Sequence, residues 1–362
     1  MHGRMFDRDV FIKAFSGLGR KLGDVSFLEA ALDCANVDNP FFTPFMQKRA
    51  LKAIAENYLS EEALEKLLAY SDGPVDDINF FRRRMEGKTV GIIMAGNIPA
   101  VGFHDLLCTL SVGAKAIVKL SSKDRCLIPA LLEELAEKAP HLASRVVFRD
   151  FIADRLEGVP TTTQLDFLLF SGSSQTKSLV CEEFIEIPVL ARGSRFSLGV
   201  LSGEETDYEL RLLAEDMFLY CGLGCRSISY LFLPEGFDLQ RIVMASSFME
   251  KHLVEIGPYW SNYIRRRAIA KIENMFEGGT FTDGGFFLLE ESGRSFPPIG
   301  VVRYSFYKNI QEVDAFCKKH HDSIQKKYVN FGMAQSPATD DWMDGINTVR
   351  SILEGCGVLS LS

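Results

Sequence analysis

From Arg4 to about Arg84 the apolar residues recur every three or four positions, as in SFLEAALDCA and EEALEKLLAYS. That spacing puts them on one face of successive helices, so residues 1–85 are expected to form a helical N-terminal region packed on the adjoining domain. The texture then changes. Short β-branched runs, KTVGIIMAG, AKAIVKLSS, SRVVFRD and QLDFLLFSG, alternate with helical patterns such as HDLLCTLSVG and CLIPALLEELAEKA. This alternation predicts an α/β fold of right-handed βαβ units around a parallel sheet.

Beyond it, IPVLARGSRFSLGVLSG predicts two extended segments and TDYELRLLAEDMFLY a helix; YCGLGCRS then leads into a strand-like ISYLFLP. Two helices come next, near Leu239 to Leu253 and Tyr259 to Met275. The glycine- and phenylalanine-rich GGTFTDGGFFLLEESGRSFPPIGVVRYSF reads as β structure with turns. Helices at IQEVDAFCKKH and near Asp344 to Leu353 close the chain. No internal repeat is visible. The expected organisation is two α/β halves, 86–203 and 204–335, with 336–362 returning to the first half or serving an interface.

A chain of 362 residues is long enough for a substantial buried core. Its 47% hydrophobic and 24% charged content is ordinary for a soluble globular protein. The opening MHGRMFDRDVFIKAF mixes charge with apolar residues, and no later run reaches the ~18 apolar residues of a membrane span, so a cytoplasmic protein is expected. A net charge of -8 removes any global electrostatic case for nucleic-acid binding. The run Arg265-Arg266-Arg267 fits a solvated helix face. Eight cysteines show no spacing of a disulfide framework, and most are expected to be small buried thiols.

Four short segments combine the residue types that chemistry needs. GIIMAG runs into Asn97-Ile98-Pro99-Ala100, where a helix is about to begin. Ligands of open α/β sheets bind at the carboxyl ends of strands, so Asn97 is placed to offer its amide to a developing oxyanion, although a turn asparagine bonded to its own backbone explains it as well. AKAIVKL ends at Lys119, followed by Ser121, Ser122, Lys123 and Arg125, groups suited to ribose hydroxyls and a 2′-phosphate or simply to solvent. LDFLLFSG presents Gly172, Ser173 and Ser174 at a helix start, which suits a phosphate and equally a plain N-cap.

The fourth segment is YCGLGCRS. Cys221 and Cys225 lack companion ligands for a metal site, since His252, His320 and His321 form no set with them. A redox pair has two intervening residues where this one has three. What remains is either two structural cysteines or one exposed thiol in a glycine-rich bend, where a substrate can approach the sulfur.

In chain order, AGNIPA, VKLSSKD, LFSGSS and GLGCRS resemble the aldehyde dehydrogenase superfamily, whose P-W-N-F-P turn, K-P-S-E strand end, F-T-G-S helix start and G-Q-x-C-x-A cysteine motif they parallel. The resemblance spans roughly Lys88 to Phe306, and it is nearer still to the LuxC type of fatty acyl-CoA reductase, with its N-x-P turn, V-K-L-S strand end and a serine two residues after the cysteine. It implies a Rossmann-type dinucleotide-binding domain over 86–203 and a catalytic domain over 204–335. It further implies an acyl-CoA or acyl-carrier thioester as substrate and NADPH as cofactor, with NADH the alternative. By the same resemblance Cys225 is the nucleophile, Asn97 the oxyanion donor, and Lys119, Ser121, Ser122, Gly172 and Ser173 the cofactor-binding residues; Arg226 is a cation that could favour the thiolate, and His104 a group that could move a proton.

The departures from the family pattern are equally specific. Leu223 stands where the cysteine motif has glutamine. The segment Val189-Leu190-Ala191-Arg192-Gly193-Ser194 matches the E-L-G-G-K stretch and has no carboxylate to activate water, so an acyl-cysteine is expected to outlast hydrolysis. Phe296-Pro297-Pro298-Ile299-Gly300 stands for E-x-F-G-P and lacks the ribose-binding glutamate. The 28 phenylalanines include FTDGGFF and SFPP, which fit an acyl tunnel or the core. No room is left for the family's hairpin before the N-x-P turn, so a smaller assembly such as a homodimer, or a different interface, is expected. An acylating aldehyde dehydrogenase on a short substrate, and a non-catalytic protein keeping the fold, are the rival readings.

Overall fold

Every position of the run Thr89–Ile93 is buried, as a strand covered by helices on both faces requires. This strand, β1, is the centre of a five-stranded sheet with β2 (Lys115–Lys119), β3 (Val146–Phe148), β4 (Phe167–Ser171) and β5 (Val189–Arg192). All four pairings are parallel. The order is β3-β2-β1-β4-β5, so the chain works outward from β1 and then crosses to its other side. The crevice at that reversal, between the carboxyl ends of β1 and β4, is where doubly wound sheets hold their ligands.

The computed structural model describes residues 6–73, 77, 79–150, 165–278, 280–291 and 296–359. Gly279 and residues 292–295 of the glycine- and phenylalanine-rich segment, and the MHGRM opening, lie outside them. The chain forms two units: Met1–Asn39, Gln47–Gly193 and Pro337–Ser362 make the first, Pro40–Met46 and Ser194–Ser336 the second. The units part ten residues before the junction expected at 203, because the second extended segment of IPVLARGSRFSLGVLSG pairs with a strand of the other sheet.

The amphipathic N-terminus forms helices Arg8–Lys21, Glu29–Asp38, Pro44–Asn57 and Glu61–Ala69. Asp7 and Ser60 cap two of them, accepting the N–H groups of Val10 and Ala63. The helix Arg8–Lys21 lies against Leu127–Lys138, where Lys21 pairs with the buried Glu134. The C-terminal helix Thr348–Gly355 packs on Phe103–Ser111 in the same unit.

One expectation about the cysteines is corrected. Cys34, on the helix Glu29–Asp38, is joined by a disulfide to Cys126, which precedes the helix Leu127–Lys138. The two lie 92 residues apart, a separation that local spacing cannot report.

The second unit is built on a six-stranded sheet of β6 (Phe196–Val200), β7 (Ile228–Pro234), β8 (Phe281–Asp283), β9 (Leu288–Glu291), β10 (Val301–Tyr307) and β11 (Ile324–Tyr328). The order is β11-β6-β7-β10-β9-β8, and only β8 and β9 pair antiparallel. Phe196, Leu198, Val200, Tyr230, Phe232 and Val313 form one of its buried clusters. The helix Asp207–Phe218 starts with a reciprocal cap between Thr206 and Glu209. Among the described residues, no helix is long and apolar enough to cross a membrane.

Candidate active site

After β1 the chain turns through Asn97 and Pro99 before the helix Phe103–Ser111 begins. Two glycines let the turn lie close to its neighbours. A Cβ at Gly96 would fall 2.3 Å from Ser121 Oγ, and one at Gly102 would fall 2.5 Å from the side chain of Met94. Between them Ala100 adopts a left-handed φ of 54°, a conformation that costs a non-glycine residue ~1 kcal/mol or more. Its N–H donates to the Asp124 carboxylate at 2.7 Å. Asn39 adds an amide to the Gly96 carbonyl at 3.5 Å. Asp124 is 3% exposed, and burial pushes its carboxyl up to about 6 against the pull of the Ala100 and Leu127 N–H groups.

Lys119 ends β2, half-buried, with its ammonium 3.7 Å from Asp150. Ser121 is half-buried and bridged to Asp124, and Ser122 is exposed. Gly172 follows β4, and Ser173 caps the helix Ser174–Glu183 by accepting the Thr176 N–H at 3.0 Å. The plain cap is thus realised; it leaves an exposed helix start with no acidic residue in its first turn. The loops carrying Asn97, Lys119 with Ser121 and Ser122, and Gly172 with Ser173 all leave the carboxyl ends of neighbouring strands of one sheet. A cation, hydroxyls and a Ser173-capped helix start without an acidic residue in its first turn fit an anionic dinucleotide.

In the second unit, Cys225 sits in a turn three residues before the start of β7, half-buried and outside any disulfide. Approaching it, Tyr220, Cys221 and Gly222 adopt φ of 61°, 59° and 69° in succession. Two adjacent non-glycine residues in the left-handed region store strain, which accumulates where a backbone is made to present a group. Cys221 is buried, and desolvation pushes its thiol far above the ordinary range, so the other cysteine of the pair is packing. Cys225 and Cys221 do not form a disulfide.

The bend is held from behind. Ser197 on β6 donates to the Cys225 carbonyl at 2.9 Å. Gln335 donates its amide to Ser227 Oγ at 3.1 Å and to the Asp216 carbonyl at 2.9 Å. The carboxylate of Asp216 in turn accepts the N–H groups of Gly332 and Ala334. Burial pushes that carboxyl up to about 6. Arg226 is 8% exposed. Beside the bend lies a cavity of about 190 Å³ lined by Phe218, Leu223, Gly224, Tyr259, Phe296 and Ile299, among others.

The structure sorts three further sequence expectations. His104 is buried, its Nε2 sharing a hydrogen bond with the Thr339 carbonyl at 2.8 Å and its ring packed beside Tyr58 and Trp342, which makes it structural. Arg192 donates to both carboxylate oxygens of the buried Asp105 and to Thr348 Oγ1, so the β5 segment turns a cation into the core and offers no base. Of the phenylalanine-rich pieces, Phe286 and Phe287 are buried against Phe218 as core, whereas Phe296 is 47% exposed and lines the cavity. Asp124, Ser197, Asp216 and Gln335 escape a sequence reading because each acts on backbone or hydroxyl groups distant in sequence. The one local sign is a polar residue, Ser197, inside the buried run RFSLGV.

The family model described as acyl-CoA reductase (LuxC) matches residues 31–253. Aldehyde dehydrogenase 21 from Physcomitrella patens, solved with its reaction product succinate, is 13% identical with a TM-score of 0.65, over 98% of this chain and 85% of that one. An indole-3-acetaldehyde dehydrogenase solved with NAD+ is 14% identical with a TM-score of 0.60, over 89% and 75%. A NAD-dependent aldehyde dehydrogenase from Sinorhizobium meliloti is 14% identical with a TM-score of 0.62, over 92% and 72%. These likenesses show an aldehyde dehydrogenase-like fold. No curated protein sequence matches the chain.

Proposed function

We propose, from the premise that the chain belongs to the LuxC family of acyl-CoA reductases, that it reduces an acyl thioester to an aldehyde through an acyl-cysteine at Cys225. The observation that carries the reading is the presentation of Cys225. It is half-buried and outside any disulfide, and it follows a strained left-handed bend and two glycines, Gly222 and Gly224.

In the first step the Cys225 thiolate attacks the acyl carbon, forming a C–S bond. The resulting oxyanion is assigned to the Asn97 amide and the Cys225 N–H, one such donor being worth ~3 kcal/mol. The bond to the carrier sulfur then breaks, and the departing thiolate takes up a proton. Arg226 is assigned to favour the Cys225 thiolate. With Arg192 committed to Asp105, the β5 segment provides no carboxylate to activate water, so the acyl-cysteine persists.

Lys119, Ser121, Ser122, Gly172 and Ser173 are assigned to hold a dinucleotide, with NADPH proposed and NADH the alternative. Such a cofactor, in its reduced form, supplies the hydride that takes the acyl group to the aldehyde level. The substrate is an acyl-CoA or an acyl-carrier thioester. We place the protein in the cytoplasm, as a homodimer.

The test is covalent labelling with radiolabelled acyl-CoA. Wild type should retain one label, which added NADPH discharges as aldehyde, and Cys225→Ala should retain none. Equal label on Cys225→Ala would end the assignment of the nucleophile.

A further inference from the structure

The turn that carries Asn97 is an improbable piece of backbone. Ala100 is held at a φ of 54°, and its N–H has been taken out of solvent altogether, since the residue is 1% exposed. Left-handed backbone at a residue with a Cβ persists only where the surroundings impose it. Here they do so through a single charged group: the Asp124 carboxylate accepts the Ala100 N–H at 2.7 Å. The carboxylate also feels the Leu127 N–H at the start of the next helix, while its Oδ1 is buried without a hydrogen bond of good geometry among the described residues. Burying a carboxylate with one oxygen poorly satisfied costs stability, and the turn at Ala100 is what that cost upholds.

Asp124 also belongs to the loop that contains Ser121 and Ser122, and an isolated bridge between Ser121 and Asp124 fixes it there. The same loop is in van der Waals contact with the turn at Gly96, where no Cβ would fit against Ser121. One carboxylate therefore connects the loop assigned to the cofactor with the turn assigned to the oxyanion.

We infer that Asp124 is a positioning residue for acyl transfer: it fixes the turn that aims Asn97, and it couples that turn to the cofactor-binding loop. The inference rests on the assignment of Asn97 proposed above.

The test is a double-mutant cycle on the rate of Cys225 acylation, read by rapid quench with radiolabelled acyl-CoA, using Asn97→Ala, Asp124→Ala and the double variant. Asn97→Ala should slow acylation roughly 100-fold, as loss of one oxyanion donor does. Asp124→Ala should slow it about 10- to 100-fold with the acyl-CoA KM within about twofold of wild type, since a misaimed donor costs rate and not binding. The double variant should be no slower than Asn97→Ala alone, because a residue that acts through Asn97 has nothing left to act on. Asp124→Asn, which keeps an acceptor for the Ala100 N–H, should recover most of the rate. Should Asp124→Ala fail to fold, the cycle is run in an Ala100→Gly background, where the left-handed conformation costs nothing.

Losses that multiply in the double variant would overturn the inference, as would an Asp124→Ala protein that acylates at the wild-type rate. A wild-type rate for Asn97→Ala would instead overturn the assignment of Asn97, and the coupling with it.

Discussion

Gln335 donates its side-chain amide to the hydroxyl of Ser227, two residues beyond Cys225, while the same amide nitrogen holds the Asp216 carbonyl. The backbone on one side of Cys225 is thereby fixed to the helix Asp207–Phe218, and Ser197 fixes the Cys225 carbonyl to β6. Gln335→Ala frees Ser227 without touching the sulfur. Acylation of Cys225 should slow about 10-fold, the order expected when a nucleophile loses part of its preorganisation, with the NADPH KM unchanged. Ser227→Ala should behave alike, and the pair should be non-additive. Rates for both single variants equal to wild type would show that the bend holds its shape without them.

Asp124 and Asp216 both titrate near 6 because burial disfavours their charge, against an ordinary aspartate value of 3.8. A folded-state value above the unfolded one means that the folded protein binds more protons between the two. The contribution to stability is therefore fully present below pH 4 and is lost as pH rises through about 6. Each residue should cost about 1 kcal/mol between pH 5 and pH 7.5. Asp216→Asn removes the charge and the pH dependence together. Its urea midpoint, measured relative to wild type, should rise between pH 5 and pH 7.5; a constant difference would refute the assignment of a raised value.

The disulfide Cys34–Cys126 ties an N-terminal helix to the segment just after Asp124, and Asp38 pairs with Arg125 at the same place. Protein prepared without reductant and alkylated before unfolding and after it should show six reactive cysteines of the eight. Cys34→Ser should lower stability by ~2–4 kcal/mol, the usual worth of a bond that closes a long loop. Eight alkylated cysteines would refute the bond, whereas six would speak against the reducing compartment proposed above.

Much of this architecture is legible in the chain because local pattern and tertiary role coincide there. VGIIMAG carries no polar side chain because β1 is covered on both faces, and Asn97 stands out because polar residues follow such a strand only where a ligand or a turn asks for them. Cys225 is legible through its glycines. The strand Ile324–Tyr328, IQKKY, is not, since only one of its five positions is fully buried and an edge strand carries little hydrophobic signal. The groups behind the site are hidden for another reason. Asp124 contacts Ala100 and Asp216 contacts Gly332 through backbone N–H groups, which leave no trace in the identity of the partner residue. The junction at 193 escapes the sequence because β6 chooses its sheet by pairing with β7, a decision made by strand register and not by the residues that precede it.

If Lys119 holds the cofactor as proposed, cofactor choice should turn on the carboxylate beside it. Asp150, just beyond β3, lies 3.7 Å from the Lys119 ammonium and is 58% exposed. In doubly wound sheets an acid in this region accepts from a ribose 2′-hydroxyl and repels a 2′-phosphate, while serines and lysines of the neighbouring loop attract the phosphate. On the proposed cofactor assignment, Ser121, Ser122 and Lys123 would supply the attraction and Asp150 would oppose it. An exposed ion pair is worth ~0–1 kcal/mol, so Lys119 can exchange Asp150 for a cofactor oxygen at little cost. Asp150→Asn should therefore raise the ratio of kcat/KM for NADPH over NADH by about 10-fold, equivalent to ~1.4 kcal/mol. Lys119→Ala should lower kcat/KM with either cofactor, and more steeply with NADPH. Because the shift arises from repulsion between charges near the surface, it should shrink as ionic strength rises from about 0.02 to about 0.5 M. A ratio that Asp150→Asn leaves unchanged at low salt would mean that the 2′ position is read elsewhere.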